Sequence, residues 1–66
     1  MAITKYYAYK DGEYLDGMDY DSIADAMSVI ECFDGDEIEA HTWNNYEDWS
    51  DCYPADRQSL VWKKGE

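Results

Sequence analysis

The strongest periodic pattern of hydrophobic positions in the chain lies between residues 23 and 33. Five apolar residues recur there at the spacing of one face of an α-helix, namely Ile23, Ala26, Met27, Ile30 and Phe33. Asp19, Asp21 and Ser22 mark its start, because such side chains cap helix N-termini and carboxylates suit the positive end of the helix dipole. Asp34-Gly35 marks its end. The pattern predicts an α-helix whose apolar stripe faces a sheet.

A period-two alternation of apolar and polar residues follows this helix. From Glu37 to Trp43, successive side chains point to opposite faces of an extended chain. One face carries Ile38, Ala40 and Thr42, and it is predicted to lie under the helix. The other face, the open face, carries Glu37, Glu39, His41 and Trp43. The alternation predicts a half-buried antiparallel strand, with His41 on its polar face as a surface or rim histidine.

Three further segments complete the predicted fold. Ile3–Tyr9 is rich in β-branched and aromatic residues, and a turn at Lys10-Asp11-Gly12 leads into a short second run, Glu13–Leu15. Asn44–Arg57 is predicted to be a long connection, and Ser59–Lys63 the last strand. The predicted fold class is α+β, a small antiparallel sheet of three to four strands with one helix packed on one face, in the order β(β)αββ. A single domain over residues 1–66 is expected.

Charge is segregated along the chain. The 66 residues include 16 Asp or Glu and 5 Lys or Arg, which gives a formal net charge of -11. Fifteen of the acids lie between Asp11 and Asp56, a span without any Lys or Arg, and four of the five bases lie near the two ends. Nucleic acid and anionic membrane would repel such a chain, so we expect neither as a direct partner and a basic protein instead. We expect a monomer or weak dimer.

The residue spacing gives little support to metal binding or catalysis. The acidic pairs at positions 19 and 21 and at 34 and 36 do not continue into an EF-hand calcium loop. Cys32, Cys52 and His41 lack the paired spacing of zinc sites, and no nucleophile accompanies His41 at a recognisable spacing. We therefore expect no metal, no cofactor and no enzymatic activity. Without an apolar run typical of a signal peptide or transmembrane helix, a cytoplasmic location with two free thiols is expected.

The arrangement of the carboxylates indicates DNA mimicry. On a strand, Glu37 and Glu39 would lie about 6.6 Å apart on one face, roughly the separation of successive phosphates along a nucleic-acid strand. A second acidic group alternates with aromatic residues, and it consists of Glu47, Asp48 and Asp51 beside Tyr46, Trp49 and Tyr53. Carboxylates accept the bidentate arginine contacts that phosphates accept, and aromatic rings take the cation–π contacts.

In length, charge and aromatic surface, the chain resembles the small phage-encoded inhibitors of host defence, notably the acidic anti-CRISPR proteins. The residues that carry the resemblance are Asp16, Asp19, Asp21, Asp25, Asp34, Asp36, Glu37, Glu39, Glu47, Asp48 and Asp51. The resemblance implies a stoichiometric inhibitor in the DNA-binding groove of a CRISPR-Cas surveillance complex or nuclease, often where the protospacer-adjacent motif is read. Size and element order are similar to those of type I inhibitors. The same surface would suit an inhibitor of a restriction enzyme, a uracil-DNA glycosylase or a nucleoid protein.

Two surfaces are candidates for the contact with a partner. The predicted working surface is the open-face set, Asp34, Asp36, Glu37 and Glu39 with Glu47 and Asp48, beside Trp43 and Trp49. Asp21 and Asp25 are predicted to point outward from the helix as a like-charge pair four residues apart, forming a separate surface of lesser weight. Two other functions stay open. The chain could be an acidic adaptor that contacts a basic protein away from any nucleic-acid site, or its acids could serve only solvation or salt adaptation.

Overall fold

A computed structural model describes residues 1–66 as a four-stranded antiparallel sheet with one long and one short helix. The elements are β1 (Ile3–Lys10), β2 (Glu13–Tyr14), α1 (Ile23–Phe33), β3 (Glu37–Trp43), α2 (Tyr46–Ser50) and β4 (Arg57–Lys63). The strand order across the sheet is β2-β1-β3-β4, so that β1 and β3 are central. The predicted α+β class is confirmed, as are the predicted residues of the long helix and of β3.

The register of the central strands decides which side chains share a face. β1 pairs with β3 from Ile3 opposite Trp43 to Tyr9 opposite Glu37. Directly paired residues project to the same face of a sheet. Ala8 therefore lies with Ile38 under α1, whereas Tyr9 lies with Glu37 on the open face. On the other side of β3, β4 carries one extra residue, because the pairing of Ile38 with Trp62 is followed by that of Glu39 with Leu60.

Local side-chain signals set both ends of α1. The Ser22 hydroxyl oxygen accepts a hydrogen bond from the Asp25 N–H at 3.1 Å, which makes Ser22 the N-cap. At the other end, Asp34 adopts the left-handed conformation with φ 56°, and its N–H bonds to the carbonyl of Ile30. Asp21 therefore precedes the helix and is not part of it, contrary to its predicted position on the outer helix surface.

The hydrophobic core lies between α1 and the two central strands. Its fully enclosed members are Ala8, Ala26, Ile30 and Ile38, with Met27 and Trp62 among the half-buried side chains packed around them. The middle of the predicted apolar stripe is thus confirmed. The two ends of that stripe are exposed, however, since Ile23 is the first residue of α1 and Phe33 the last, where the chain turns away towards β3.

The predicted long connection after β3 contains a helix. Asn45 caps α2 by accepting a hydrogen bond from the Asp48 N–H at 2.9 Å, and Glu47 and Asp48 supply negative charge in its first turn. The N–H of Asp51 returns to the carbonyl of Glu47 at 2.9 Å and closes the last turn. The sequence did not predict this helix within the long connection, because a helix of five residues has no room for a periodic apolar pattern.

Candidate partner-binding surface

The open face of the sheet is an aromatic layer. The ring of His41 lies 4.6 Å from that of Tyr7 and 6.3 Å from that of Trp43, and Tyr14 stacks on Tyr9 at 4.9 Å. His41 is only 5% exposed and Trp43 6%. The expected surface or rim position of His41 was wrong, because its side chain is buried, and Trp43, which was expected beside the working acids, is largely buried as well. Neighbouring tyrosines and the segment after α2 cover them.

A hydrogen-bonded group ties Glu39 into this layer. His41 Nε2 lies 3.1 Å from Glu39 Oε1 and 3.2 Å from the Tyr9 hydroxyl. Burial, the contact with Tyr14 and the charge of Glu39 raise the pKa of Tyr9, so this phenol stays neutral. The Glu39 side chain is 31% exposed and therefore presents part of its carboxylate to solvent while the rest is held by the histidine.

The acids at the beginning of β3 share their surroundings with lysines. We call Asp34, Asp36, Glu37 and Glu39 the β3-start cluster. Lys64 Nζ lies 2.7 Å from Asp34 Oδ1, and this contact lowers the pKa of Asp34 and raises that of Lys64. Lys63 lies opposite Glu37 in the register of β3 and β4, and its ammonium pairs with Glu66 at 3.7 Å. The positive charge of these lysines reduces the negative potential that the cluster presents to a partner.

Asp36 has a structural role, because most of its polar groups are used in hydrogen bonds within the chain. Its Oδ2 accepts the N–H of Asp11 at 3.1 Å, its own N–H donates to the carbonyl of Tyr9 at 2.9 Å, and its carbonyl accepts from Lys64. Asp36 Oδ1 is buried and makes no hydrogen bond. Within the predicted open-face set, this residue therefore joins the turn after β1 to the start of β3, and it offers little to a partner.

The segment before α1 brings two acids to the opposite end of the open face. Tyr20 forms a backbone bridge with Tyr6 at the edge of β1, and its side chain packs against the core. The residues on either side of Tyr20 therefore project to the open face. Asp21 binds Lys5 there, and this hydrogen bond raises the pKa of Lys5. The predicted pairing of Asp21 with Asp25 on one helix surface was wrong, since Asp25 stays exposed in the first turn of α1.

Helix α2 adds further acids at this same end. Together with Asp19 and Asp21, we call its acids the α2 cluster: Asp19, Asp21, Glu47, Asp48 and Asp51. The indole N–H of Trp49 donates to Asp19 Oδ2 at 3.0 Å and so joins the segment before α1 to α2. Lys5 is the base in contact with this cluster, and its ammonium also lies 4.6 Å from the centre of the Trp49 ring.

The structure thus divides the predicted open-face set between the two ends of β3. The β3-start cluster lies at one end, and Glu47 and Asp48 lie beyond the other, about 20 Å along the strand direction. Trp49 is part of α2 and is half-buried. Asp19, which the sequence pattern placed in neither of the two candidate surfaces, belongs to the α2 cluster. No local pattern could have shown this, because its partner Trp49 is 30 residues away.

A cavity of about 450 Å³ opens beside α2. Its walls are Tyr7, Asp19, Trp43, Tyr46, Trp49, Ser50, Cys52 and Tyr53. Trp43 donates its indole N–H to the carbonyl of Tyr53 at 2.7 Å, which fixes the segment after α2 against β3. Cys52 and Cys32 are exposed free thiols. Tyr7 and Asp19 are the members of this cavity that the sequence did not place near α2.

Few of the carboxylates are neutralised within the chain. Of the fifteen acids between Asp11 and Asp56, only Asp21 and Asp34 form an ion pair with a lysine, and Glu39 contacts a histidine. No group of three or more His, Cys, Asp or Glu side chains converges in a way that could hold a metal ion. None of the helices has the length and apolar character needed to cross a membrane. Comparison of the chain with protein families, curated proteins and solved structures finds no match.

Proposed function

We propose that this protein is a non-enzymatic inhibitor that occupies the cationic DNA-binding groove of another protein, in the manner of a DNA mimic. The proposed target is a CRISPR-Cas surveillance complex or nuclease. The observation that carries the proposal is the unpaired negative charge: thirteen of the fifteen acids between Asp11 and Asp56 make no ion pair with Lys or Arg. A fold selected only for stability or solubility would intersperse the two signs, because unpaired like charges repel each other.

A carboxylate surface of this kind can replace a phosphate backbone. Each carboxylate accepts the bidentate contacts that arginine makes with phosphate. The summed field of many unpaired acids attracts a basic groove over a Debye length, about 8 Å at physiological salt, and speeds association. The proposal therefore requires binding that weakens steeply as salt is added and that competes with DNA.

The distribution of lysines favours a larger share for the α2 cluster than the sequence pattern gave it. Sequence reasoning ranks Glu37 and Glu39 first. Reversal of their charges is expected to weaken inhibition at least tenfold, which corresponds to about 1.4 kcal/mol. In the structure, Lys63 and Lys64 stand beside the β3-start cluster, whereas Lys5 alone contacts the α2 cluster. A groove that grips both ends of the open face would engage both clusters.

The proposal is tested by competition on purified targets. A type I surveillance complex, a CRISPR nuclease, a restriction enzyme and a uracil-DNA glycosylase are each titrated with the protein in the presence of fluorescent duplex DNA. We expect one of them to release its DNA stoichiometrically, with an apparent affinity that falls as salt rises. A target that holds the protein and its duplex at the same time would exclude mimicry and would identify the acidic adaptor instead.

Charge-reversed variants then locate the working surface. Glu37→Lys with Glu39→Lys tests the β3-start cluster, and Glu47→Lys with Asp51→Lys tests the α2 cluster. The matched control is Asp25→Lys with Glu31→Lys on the exposed surface of α1, which changes the net charge by the same amount. Retention of the fold is checked by the amide NMR spectrum of each variant. Equal losses in all three variants would show that only net charge matters and that no surface mimics DNA.

A further inference from the structure

The cavity beside α2 combines several aromatic walls with one carboxylate. The rings of Tyr7, Trp43, Tyr46, Trp49 and Tyr53 line it together with Asp19. Tyr46 meets Trp49 edge-on, with ring centres 5.2 Å apart. At about 450 Å³, the space is large enough for the end of a long side chain.

Among the polar groups of these walls, the two indole donors are already used and one carboxylate oxygen is not. Both indole N–H groups are already used, that of Trp49 by Asp19 Oδ2 at 3.0 Å and that of Trp43 by the carbonyl of Tyr53 at 2.7 Å. Asp19 Oδ1 makes no hydrogen bond within the chain, and the residue is half-buried. Asp19 is the only Asp or Glu among the walls, and burial together with the charge of Asp19 raises the pKa of Tyr7.

One cation of the protein already uses an adjoining ring. The Lys5 ammonium lies 4.6 Å from the centre of the Trp49 ring while it binds Asp21. In this contact the Trp49 ring, which is part of the cavity wall, and the Asp21 carboxylate bind the same ammonium group. The cavity likewise places aromatic rings beside a carboxylate, that of Asp19.

We propose that this cavity binds the guanidinium group of an arginine side chain supplied by the basic partner. The inference rests on the proposed function only in that the partner is a cationic protein. Arginine is favoured over lysine because a planar guanidinium can lie against an aromatic ring while two of its N–H groups reach a single carboxylate. An apolar side chain would leave the unpaired Asp19 oxygen desolvated without a donor, which is unfavourable.

The test uses a small probe in place of the partner. N-acetyl-glycyl-arginyl-glycinamide is titrated into the full-length protein, and the indole N–H signals of Trp43 and Trp49 are followed by NMR. We expect saturable shifts with a dissociation constant on the order of millimolar. The citrulline analogue, which keeps the planar shape and loses the charge, should bind about tenfold more weakly, and the lysine analogue about threefold more weakly.

Asp19→Asn is the decisive variant, because an amide oxygen can still accept the Trp49 N–H while the charge is lost. It should weaken the arginine probe by at least about fivefold. The matched control is Glu31→Gln, which removes one charge at an exposed position of α1 outside the cavity and should change the affinity by less than about twofold. Equal binding of the citrulline analogue, equal binding of the lysine analogue, or equal losses in the two variants would overturn the proposal.

The outcome is separable from that of the proposed function. If the probe binds the cavity and no target releases its DNA, the arginine site stands and DNA mimicry fails. If a target releases its DNA and Asp19→Asn leaves the probe affinity unchanged, DNA mimicry stands and the arginine site fails.

Discussion

Replacement of Gly35 by alanine should strain the junction between α1 and β3. Gly35 is buried directly after the left-handed cap of α1, and its N–H bonds to the carbonyl of Ile30 at 3.1 Å. A Cβ atom at this position would lie 2.4 Å from Ile30 Cδ1, 3.1 Å from the carbonyl oxygen of Tyr9 and 3.2 Å from Leu15 Cδ2. The first distance is impossible without movement, and the Tyr9 carbonyl belongs to the backbone of a central strand.

The size of the effect follows from the burial of Ile30. Ile30 is 5% exposed within the four-residue core, so its δ-methyl has little room to turn away. Overpacking of this kind costs about 1–3 kcal/mol. A chain of 66 residues has a free energy of unfolding of only about 3–10 kcal/mol, so Gly35→Ala should remove a large share of it. The Tm should fall by roughly 10 °C, since 1 kcal/mol corresponds to about 4–8 °C in a domain of this size.

A double-mutant cycle with Ile30→Val isolates the clash. Valine lacks the δ-methyl that the new Cβ would meet, and by itself the substitution should cost about 0.5–1.5 kcal/mol. Urea unfolding followed by tryptophan fluorescence should show that the double variant loses less stability than the sum of the single variants, by about 1 kcal/mol. Strict additivity, or a Gly35→Ala variant as stable as the parent, would refute the packing argument.

Three other predictions follow from specific contacts. Because the hydrogen bond to Asp16 raises the pKa of Tyr20 to about 12, the stabilisation from this group is complete below its ordinary pKa of 10.0 and is lost as pH rises towards 12. Tyrosinate absorbance should place the Tyr20 pKa nearer 10.0 in Asp16→Ala, and an unmoved value would contradict the assignment. Asn45→Ala should destabilise α2 by about 1 kcal/mol, with faster amide hydrogen exchange in α2 than in β3, whereas uniform acceleration would mean that α2 has no separate stability. Raising the salt concentration to about 0.5 M should raise the Tm by roughly 4–8 °C, because thirteen unpaired acids repel one another, and an unchanged Tm would show that they lie too far apart to interact.

Local patterns determined the elements with long periodic stretches. The alternation over Glu37–Trp43 and the three-four spacing from Ile23 to Phe33 predicted β3 and α1 at the residues where the structure has them. Each pattern can be recognised in the sequence because one face of the element is buried. The ends of α1 can also be recognised, because the Ser22 cap and the turn at Asp34 act within a few residues of the helix ends. The acidic charge and its segregation are likewise properties of the sequence alone.

Tertiary structure decided which side chains lie near each other. The backbone bridge between Tyr6 and Tyr20 carries Asp19 and Asp21 to the open face, and the Trp49 indole meets Asp19 there across 30 residues of chain. The burial of His41 likewise depends on tyrosines of β1. Sequence periodicity reports only which face of one element is apolar. The pairing of distant segments is fixed by backbone hydrogen bonds and by competition for the same buried space, so the division of the acids between the two ends of β3 could be seen only in the folded chain.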